Sequence, residues 1–274
     1  MGTTFRITIS TPDTAGLVAT IRRSFRRIDA LEQSMSDYRS DSELNHLVGS
    51  TERQSVSSDL YTVLRFSKKL ARRSKGAFDP TIGPLSKLWR RAFRQQAFPE
   101  KERILSARAR VQWRRLKIGK PNRVRLRRED VQLDLGGVAK GYTLDVVGKL
   151  LREAGFPAFL IDGGGDLLLG EAPHRGEWKV EFTGGYTVSH LSETAVVTSG
   201  DTYRYLEHQG QRYSHIIDPR TGLGLQNSRP ITVTGPSAMV ADALASAYSV
   251  NPGNWAKAFQ GYELSGPQRA HKYR

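Results

Sequence analysis

Asp242 and Ser246 stand one helical turn apart in the apolar stretch ADALASA, which runs from Ala241 to Ala247. On a helix, side chains at positions i and i+4 lie on the same face. A carboxylate and a hydroxyl on one face of an apolar helix would be explained by oxygen ligation of Mg²⁺. The spacing alone favours a simpler interpretation, a serine bonded to the backbone one turn back and an aspartate near a helix cap.

Two glycine-rich segments could bring their backbone close to a phosphate. DLGGVAKGYTLD places Lys140 near the start of a predicted helix, where free amides and the helix dipole attract anions. An ordinary strand-to-helix turn with a surface lysine explains this segment equally well. IDGGGDLLLG places three glycines between Asp162 and Asp166, which indicates either a tight turn between strands or a backbone platform for a ligand.

A fourth polar segment, SHIIDPRTG, places His215 and Asp218 where a predicted strand ends in a turn. A single histidine and aspartate at a strand end are more often structural than catalytic. Their proximity to a further glycine turn only modestly favours a catalytic role.

Any metal in this chain must be bound by oxygen or imidazole ligands, because the sequence contains no cysteine. This absence excludes disulfides, thiolate metal sites and cysteine nucleophiles. The available carboxylates, hydroxyls and carbonyls favour a hard cation such as Mg²⁺.

The elements that must position these residues alternate irregularly between helix and strand. Helical periodicity predicts helices over 12–33, 58–74, 137–155 and 237–249, and alternating apolar residues predict short strands between them. No strict βαβ repeat is present, which favours an α+β fold with mixed, largely antiparallel sheets and packed helices. We expect one domain over residues 1–250, followed by a short C-terminal tail over 251–274.

The net charge of +15 comes from one segment. Residues 65–128 contain 22 Lys and Arg against three acids, whereas the rest of the chain holds 20 basic and 24 acidic residues. This excess indicates either solvated faces of basic helices, which we favour, or a surface for nucleic acid, acidic lipid or an acidic partner. No recognised nucleic-acid motif accompanies the charge, so we expect a nucleic-acid partner to be unlikely. No apolar run is long enough to span a bilayer.

Taken together, the motifs resemble one family in order and spacing. From residue 1 to about residue 250, the chain is similar to the ApbE-type FAD:protein FMN transferases. The segments that carry the resemblance are MGTTFRI, MSDYRSDSELNHL, GAFDPTIGPL, DLGGVAKGYTLD, IDGGGDLLLG, TSGDTYR, SHIIDPRTG and ADALASA. The resemblance also implies two T-fold-like subdomains.

The resemblance implies a Mg²⁺-dependent transfer of FMN from FAD to a threonine or serine hydroxyl of an acceptor protein, with release of AMP. Such a phosphoryl transfer needs mainly positioning and charge neutralisation. The same site would suit a Mg²⁺-dependent FAD pyrophosphatase, in which water replaces the acceptor hydroxyl, or a flavin-binding protein without turnover.

The resemblance also assigns residues to roles. Asp242, Ser246 and the backbone carbonyl of Ala139 fall on the family's metal ligands, and His215 and Asp218 on candidate catalytic positions. The positions that it implies for FAD are Met35, Tyr38, Asp79, Lys140, Asp162, Gly163, Gly164, Asp166, Ser199 and Thr221.

Some features depart from the family pattern. Ser246 replaces the usual threonine, and RRAF follows GPLSKLW where the family often has a glycine and another aromatic residue. The family is often exported and anchored to a membrane, yet no leader and no lipid-accepting cysteine are recognisable, so the compartment is left open. The acceptor protein and the oligomeric state are left open as well.

Overall fold

A computed structural model describes residues 2–182, 186–188, 190–200, 205–226, 230–266 and 269–273. Within these ranges the helices are α1 (Leu17–Met35), α2 (Glu43–His46), α3 (Ser58–Arg73), α4 (Gly83–Gln95), α5 (Lys101–Ala109), α6 (Ala139–Glu153) and α7 (Ala238–Val250). The strands in the same ranges are β1 (Phe5–Ile9), β2 (Gln54–Ser55), β3 (Leu116–Gly119), β4 (Arg123–Leu126), β5 (Phe159–Gly163), β6 (Leu167–Leu169), β7 (Val180–Phe182), β8 (Tyr186–Val188), β9 (Thr194–Ser199), β10 (Tyr205–His208), β11 (Gln211–Ser214), β12 (Ile231–Gly235), β13 (Tyr262–Gly266) and β14 (Arg269–Tyr273).

The largest sheet has seven strands in the order β1-β5-β6-β9-β12-β13-β14, and all of its pairs are antiparallel. Its register sets Ile7 opposite Ile161 and Val233 opposite Val197. This mixture of helices and antiparallel strands confirms the predicted α+β class.

Side chains alternate between the two faces of this sheet. Leu168, Val197 and Val233 join the main core with α6 and α7, whereas Leu169 and Val196 pack on the opposite face against Val180. This alternation follows from the two-residue repeat of a strand. The sheet therefore has a helical layer on one face and a short hairpin on the other.

Helices α6 and α7 carry the motifs that suggested chemistry, and they pack against each other and the sheet. In α6, Leu144, Val147 and Leu151 are fully buried at helical spacing. The helix is followed by Gly155 with φ of 85°, a left-handed conformation that glycine adopts without strain. Among the helices in the described ranges, none has the length and apolarity needed to cross a membrane.

A smaller sheet, in the order β2-β4-β3, covers α3. Its inward side chains Leu116, Val124 and Leu126 are buried in the main core together with Leu64 of α3. A separate core joins α4 and α5 to the β10–β11 hairpin, with Trp89 stacked on Tyr213 at a centroid distance of 6.0 Å.

Two elements differ from the sequence expectation. Helix α1 begins at Leu17 rather than at Pro12, because Thr11 and Asp13 form a turn in which the Asp13 carboxylate accepts the Ala15 N–H. One of the short strands expected between the predicted helices, over residues 131–135, is instead an extended loop, in which the Asp134 N–H donates to the Pro80 carbonyl.

The residues after Val250 add to the large sheet. After a 3-10 helix at Asn254–Ala258, β13 pairs with β12 and β14 pairs with β13. Tyr262 and Leu264 are buried in the main core. The segment that the sequence suggested as a tail thus covers an edge of the sheet that would otherwise be unpaired.

Candidate active site

A cavity of about 840 Å³ lies where the ends of β6 and β9, helices α4, α6 and α7 and the segment after β11 converge. It receives side chains from most of the segments that suggested chemistry in the sequence. Its size suits a ligand as large as a dinucleotide.

Three charged side chains form a cluster in the wall of this cavity. The Lys140 Nζ lies 3.0 Å from Asp166 Oδ2 and 3.5 Å from Asp242 Oδ1. Both aspartates are almost fully buried, with exposed fractions of 5% and 4%. One ammonium group therefore forms ion pairs with two carboxylates, and the cluster carries a net negative charge when all three groups are ionised.

Burial dominates the proton affinities in this cluster. It raises the pKa of Asp166 to about 7, with the repulsion of Asp242 adding to the rise and the Lys140 ammonium opposing it. Burial alone would lower the pKa of Lys140, but the attraction of Asp242 and Asp166 holds it above its ordinary value. Lys140 is thus a permanent cation, whereas Asp166 is near its titration point at neutral pH.

Glycines allow α6 and α7 to approach closely enough to build this cluster. A methyl group at Gly141 would lie 2.2 Å from the Ala238 carbonyl oxygen, so only glycine fits at this crossing. The buried Gly141 N–H donates to Asp242 Oδ2 at 3.1 Å. A methyl group at Gly137 would lie 2.9 Å from the Ser246 hydroxyl, which places this hydroxyl beside the glycine turn.

Asp145 fixes the other contact between α6 and α7. Its carboxylate accepts hydrogen bonds from the Ser237 hydroxyl and from the Ala238 and Met239 N–H groups. These amides belong to the first turn of α7, where no backbone partner is available. Asp145 therefore caps α7 and orients the face that carries Asp242.

Arg90 of α4 forms a second charged group in the cavity wall. Its guanidinium pairs with Asp37 and donates to Asp134 Oδ2 at 2.8 Å. It also lies 4.1 Å from the centroid of the Tyr38 ring, which is 63% exposed. The other oxygen of Asp134 accepts the Gly136 N–H at 2.7 Å. The Arg90 side chain thus contacts the exposed Tyr38 ring and, through Asp134, the glycine turn that precedes Lys140.

Asp79 borders the cavity, but its oxygens already have partners. Oδ1 accepts the Thr81 N–H and hydroxyl, and Oδ2 accepts the Trp113 N–H at 2.9 Å. Burial raises the pKa of Asp79, and these three hydrogen bonds oppose the rise. Its contacts are those of a residue that holds the loop before α4.

His215 and Asp218 lie in the same turn but have different surroundings. His215 is exposed and lines the cavity. Asp218 is buried, and both of its oxygens are bound by the Arg220 guanidinium, with Oδ1 also accepting the Arg220 N–H. Asp218 therefore stabilises the turn that carries His215.

The glycine turn after β5 has a mixed role. Asp162 Oδ1 accepts the Gly165 N–H at 2.8 Å, which closes the turn. Gly164 has φ of 76° and lines the cavity, and a methyl group there would lie 1.9 Å from the Thr3 hydroxyl. The turn thus needs glycine both for its conformation and for its packing.

The comparisons with known proteins agree on one family. The sequence model of the ApbE family matches residues 1–264. The chain belongs to the ApbE family. Among its relatives, proteins named FAD:protein FMN transferase from Treponema pallidum and Vibrio cholerae are each 32% identical to this chain. The alignments cover 90% and 91% of this chain and 75% and 79% of those proteins.

Solved structures support the same assignment. The flavin transferase ApbE from Vibrio cholerae has a TM-score of 0.83 at 29% identity, covering 98% of this chain and 94% of that one. The apo form of the Pseudomonas stutzeri flavinyl transferase ApbE has a TM-score of 0.82 at 26% identity, covering 98% and 92%. These structures have the same α+β fold as this chain.

The ApbE cavity brings together most residues that the sequence pointed to, but not all. The expected site residues that line it are Tyr38, Asp79, Lys140, Gly164, Asp166, Ser199, His215, Asp242 and Ser246. The expected site residues outside this lining are Met35, Ala139, Asp162, Gly163, Asp218 and Thr221. Met35 is part of the hydrophobic core, and exposed Thr221 accepts the Leu223 N–H.

The donors for a metal ion in this ApbE chain are oxygens. Asp242 and Ser246 both line the cavity, from the one face of α7 that their spacing predicted they share. The Ala139 carbonyl accepts the Thr143 hydroxyl at 2.8 Å. In the part of the chain that the structure describes, no cluster of three or more His, Cys, Asp and Glu side chains is arranged for a metal. The available donors fit a hard cation such as Mg²⁺, which accepts few protein ligands and keeps its remaining waters.

Arg90 lines the cavity, although no motif in the sequence pointed to it. It lies in the RRAF segment that departs from the ApbE pattern, and no spacing rule connects it to Asp37 or Asp134. Only the packing of α4 brings these three residues together.

Proposed function

We propose that this chain transfers the FMN part of FAD to a threonine or serine hydroxyl of an acceptor protein and releases AMP. The observation that carries this proposal is the Lys140–Asp166–Asp242 cluster with Ser246, set between two glycine turns in the cavity of an ApbE fold. Relatives named FAD:protein FMN transferase support the choice of substrate.

In this reaction the acceptor hydroxyl oxygen forms a bond to the FMN phosphorus. The bond from this phosphorus to the bridging oxygen of the diphosphate breaks, and AMP leaves with the electron pair. The hydroxyl proton must pass to a base or to water. The chain has to hold the two reacting atoms in line and to balance negative charge on the diphosphate.

Lys140 supplies a fixed positive charge for the diphosphate. It lies in the first turn of α6, where the amides and the helix dipole also favour an anion. Because Asp166 and Asp242 hold its ammonium group, its position does not depend on a bound ligand. This preorganisation avoids the loss of side-chain entropy on binding.

Asp242 and Ser246 would hold a magnesium ion. When bound, such an ion supplies positive charge that neutralises the diphosphate and stabilises the leaving AMP. The Gly141 N–H donates to Oδ2 of Asp242. The other oxygen, Oδ1, lies near the Lys140 ammonium group and is the one that we assign to the metal ion.

His215 is the residue that we assign as proton acceptor. It is exposed in the cavity wall, and an imidazole can accept a proton near neutral pH. Asp218 supports it indirectly, by fixing the turn through Arg220.

The test is incubation of the protein with FAD, Mg²⁺ and a peptide that carries a threonine. Flavin attached to the peptide, together with free AMP, supports the transferase. Free FMN with AMP would indicate a pyrophosphatase, and unchanged FAD would indicate a flavin-binding protein.

Two variants assign the roles within this assay. Asp242→Asn should slow transfer by at least about 100-fold, and added Mg²⁺ should no longer tighten FAD binding. His215→Gln should bind FAD normally and transfer FMN about 10²–10⁴-fold more slowly. Unchanged single-turnover rates in either folded variant would remove that residue from the mechanism.

A further inference from the structure

The small sheet carries a dense positive surface that the proposed reaction does not use. We define the basic face as the side chains of Lys68, Arg72, Lys117, Arg123, Arg125 and Arg127. The first two belong to α3, and the other four belong to β3, β4 and the residue after β4.

The strand register places the four sheet cations on one side. Arg123, Arg125 and Arg127 alternate with buried Val124 and Leu126, so all three point away from the core. Lys117 lies directly opposite Arg125 in the antiparallel pair. Directly opposed like charges destabilise a sheet, so local stability does not explain this arrangement.

Lys68 extends the basic face onto α3. Its pKa is lowered by partial burial and by the positive charges of Lys117, Arg127 and Arg72. Each of these three cations is therefore close enough to Lys68 to repel its ammonium group. Arg72 follows Lys68 by one helical turn, so both side chains lie on the same side of α3.

The repulsion on the basic face is not balanced by an ion pair with any acid in the part of the chain that the structure describes. None of the ion pairs between described residues involves any of the six side chains. The polar contact that the structure shows for Arg125 is with a neutral group, the Thr51 carbonyl at 2.6 Å. An external anionic surface would relieve this repulsion.

The shape and chemistry of the basic face favour a flat, diffuse anion. The outward residues of β3 and β4, together with Arg127 after β4, are four cations and Gly119, with no aromatic ring on which a base could stack. They also include no apolar anchor of the kind that protein interfaces use. None of the six side chains lines the substrate cavity, so the face is separate from the proposed site.

We propose that the basic face binds the surface of an anionic lipid bilayer. Clusters of about four to eight Lys and Arg side chains bind anionic lipids electrostatically, and each contributes about 1 kcal/mol near the surface. The binding needs no membrane-spanning helix and places no residue of the substrate cavity in the lipid.

The test measures sedimentation of the full chain with vesicles of phosphatidylcholine, with and without about 30% phosphatidylglycerol. The unmodified protein should bind only the anionic vesicles, and binding should decrease steeply between about 50 and about 300 mM salt. Absence of binding, or equal binding to both vesicle types, would overturn the proposal.

Variants with matched changes of charge locate the binding surface. Lys117→Gln, Arg123→Gln, Arg125→Gln and Arg127→Gln together should weaken binding more than 100-fold, since each lost cation corresponds to about a fivefold change. The control removes four exposed cations elsewhere, through Arg22→Gln, Arg23→Gln, Arg26→Gln and Lys101→Gln. Equal losses in both variants would mean that binding follows net charge, which contradicts a specific face.

Two further measurements keep the proposal testable if the quadruple variant folds poorly. A variant with Arg123→Lys, Arg125→Lys and Arg127→Lys retains the charge and should bind the anionic vesicles within about threefold of the original protein. A duplex DNA oligonucleotide is the competing ligand. If the protein binds this duplex through the basic face and does not bind vesicles, the proposal is overturned and the partner of the face is a nucleic acid.

Discussion

Lys140 lies between two buried carboxylates, and Arg90 lies between two others. In both groups the cation is fixed by protein contacts before any substrate arrives. Buried ion pairs of this kind add little net stability, but removal of one partner is strongly destabilising. The charges in the cavity wall are therefore coupled to the fold, and this coupling makes their roles measurable by stability as well as by activity.

Replacing Arg90 tests the second of these groups. Arg90→Met leaves Asp37 and Asp134 facing each other without a cation, and should lower the free energy of unfolding by about 3 kcal/mol. Burial and the negative charge of Asp134 already raise the pKa of Asp37, and Arg90 opposes them. Urea unfolding measures the loss, and FAD titration should show weaker binding because Tyr38 loses its stacked guanidinium.

Two controls distinguish this effect from a general loss of a surface arginine. Arg91→Met, at the exposed next position, should leave the free energy of unfolding and the affinity for FAD unchanged. Asp37→Asn added to Arg90→Met should recover part of the stability by removing the repulsion. If Arg90→Met is as stable as the original protein, the ion pairs of Arg90 with Asp37 and Asp134 do not stabilise the cavity wall.

The pH dependence of stability should report Asp166. The pKa of Asp166 is raised to about 7 in the folded state, above its ordinary unfolded value of about 3.9. The associated stability is fully present below the unfolded pKa and is lost as the pH rises towards 7. Without FAD and Mg²⁺, the unfolding free energy should therefore fall between about pH 4 and 7 by up to about 1.4 kcal/mol per pH unit.

Urea unfolding of the original protein and of Asp166→Asn across this pH range makes the comparison. The difference between the two proteins isolates Asp166, because Asp37, Asp79 and Asp145 also have raised pKa values through burial and remain in both. A constant difference across the pH range would contradict the assignment.

At the scale of elements, the site depends on how closely α6 and α7 pack. Gly141 allows the contact with Ala238, and Asp145 caps the first turn of α7. Both interactions also orient Asp242, which bonds to the Gly141 N–H. The crossing of two helices therefore decides where the carboxylate lies relative to Lys140.

Gly141→Ala tests this crossing. Relative to glycine, alanine stabilises an isolated helix by about 1 kcal/mol. In this protein, however, the new methyl group would lie 2.2 Å from the Ala238 carbonyl oxygen. Backbone cannot move as freely as a side chain, so we expect a net loss of about 1–3 kcal/mol and weaker Mg²⁺-dependent FAD binding. Thermal unfolding and FAD titration measure the two effects.

Gly148→Ala in the same helix is the matched control. Its methyl group would meet side-chain atoms rather than backbone, Leu168 Cδ2 at 2.6 Å and Phe159 Cζ at 3.1 Å. We expect a smaller loss of stability and normal FAD binding. Equal effects of the two substitutions would show that the crossing at Gly141 has no special role in the site.

At the scale of the whole molecule, the C-terminal strands complete the large sheet. The ApbE family match ends at residue 264, and β13 contributes Tyr262 and Leu264 to the main core. Tyr262 packs directly over Gly235, where a methyl group would lie 2.3 Å from its ring. These contacts join the end of the chain to strand β12, which runs beside β9 at the cavity.

Truncation after Val250 tests whether residues 1–250 form an independent domain. We expect a loss of at least about 3 kcal/mol, since burial of each large apolar side chain contributes about 1.5–3 kcal/mol. The exposed edge of β12 should also promote aggregation. Urea unfolding and light scattering measure these changes. A shorter truncation that removes only 269–274 should have a smaller effect, and a fully stable 1–250 fragment would support the sequence-based boundary.

The sequence by itself determined the features that depend on near neighbours in the chain. Apolar residues at helical spacing predicted α3, α6 and α7, and the spacing of Asp242 and Ser246 predicted that they share a face. Serine is a typical residue at a helix start, and the Ser42 hydroxyl accepts the Asn45 N–H at the start of α2. Such patterns are readable because hydrogen bonds and side-chain directions within a helix repeat over three or four residues.

Only the tertiary structure decided which of the candidate site residues line the cavity and which stabilise the fold instead. Met35 is in the core, and Asp162 and Asp218 bond to their own turns, although their motifs suggested contacts with FAD or catalysis. Conversely, Arg90 meets two aspartates that are 53 and 44 positions away in the chain. A short polar side chain in a turn can bond to its own backbone or face a ligand with the same local sequence. The packing of distant elements, which no local pattern records, selects between the two.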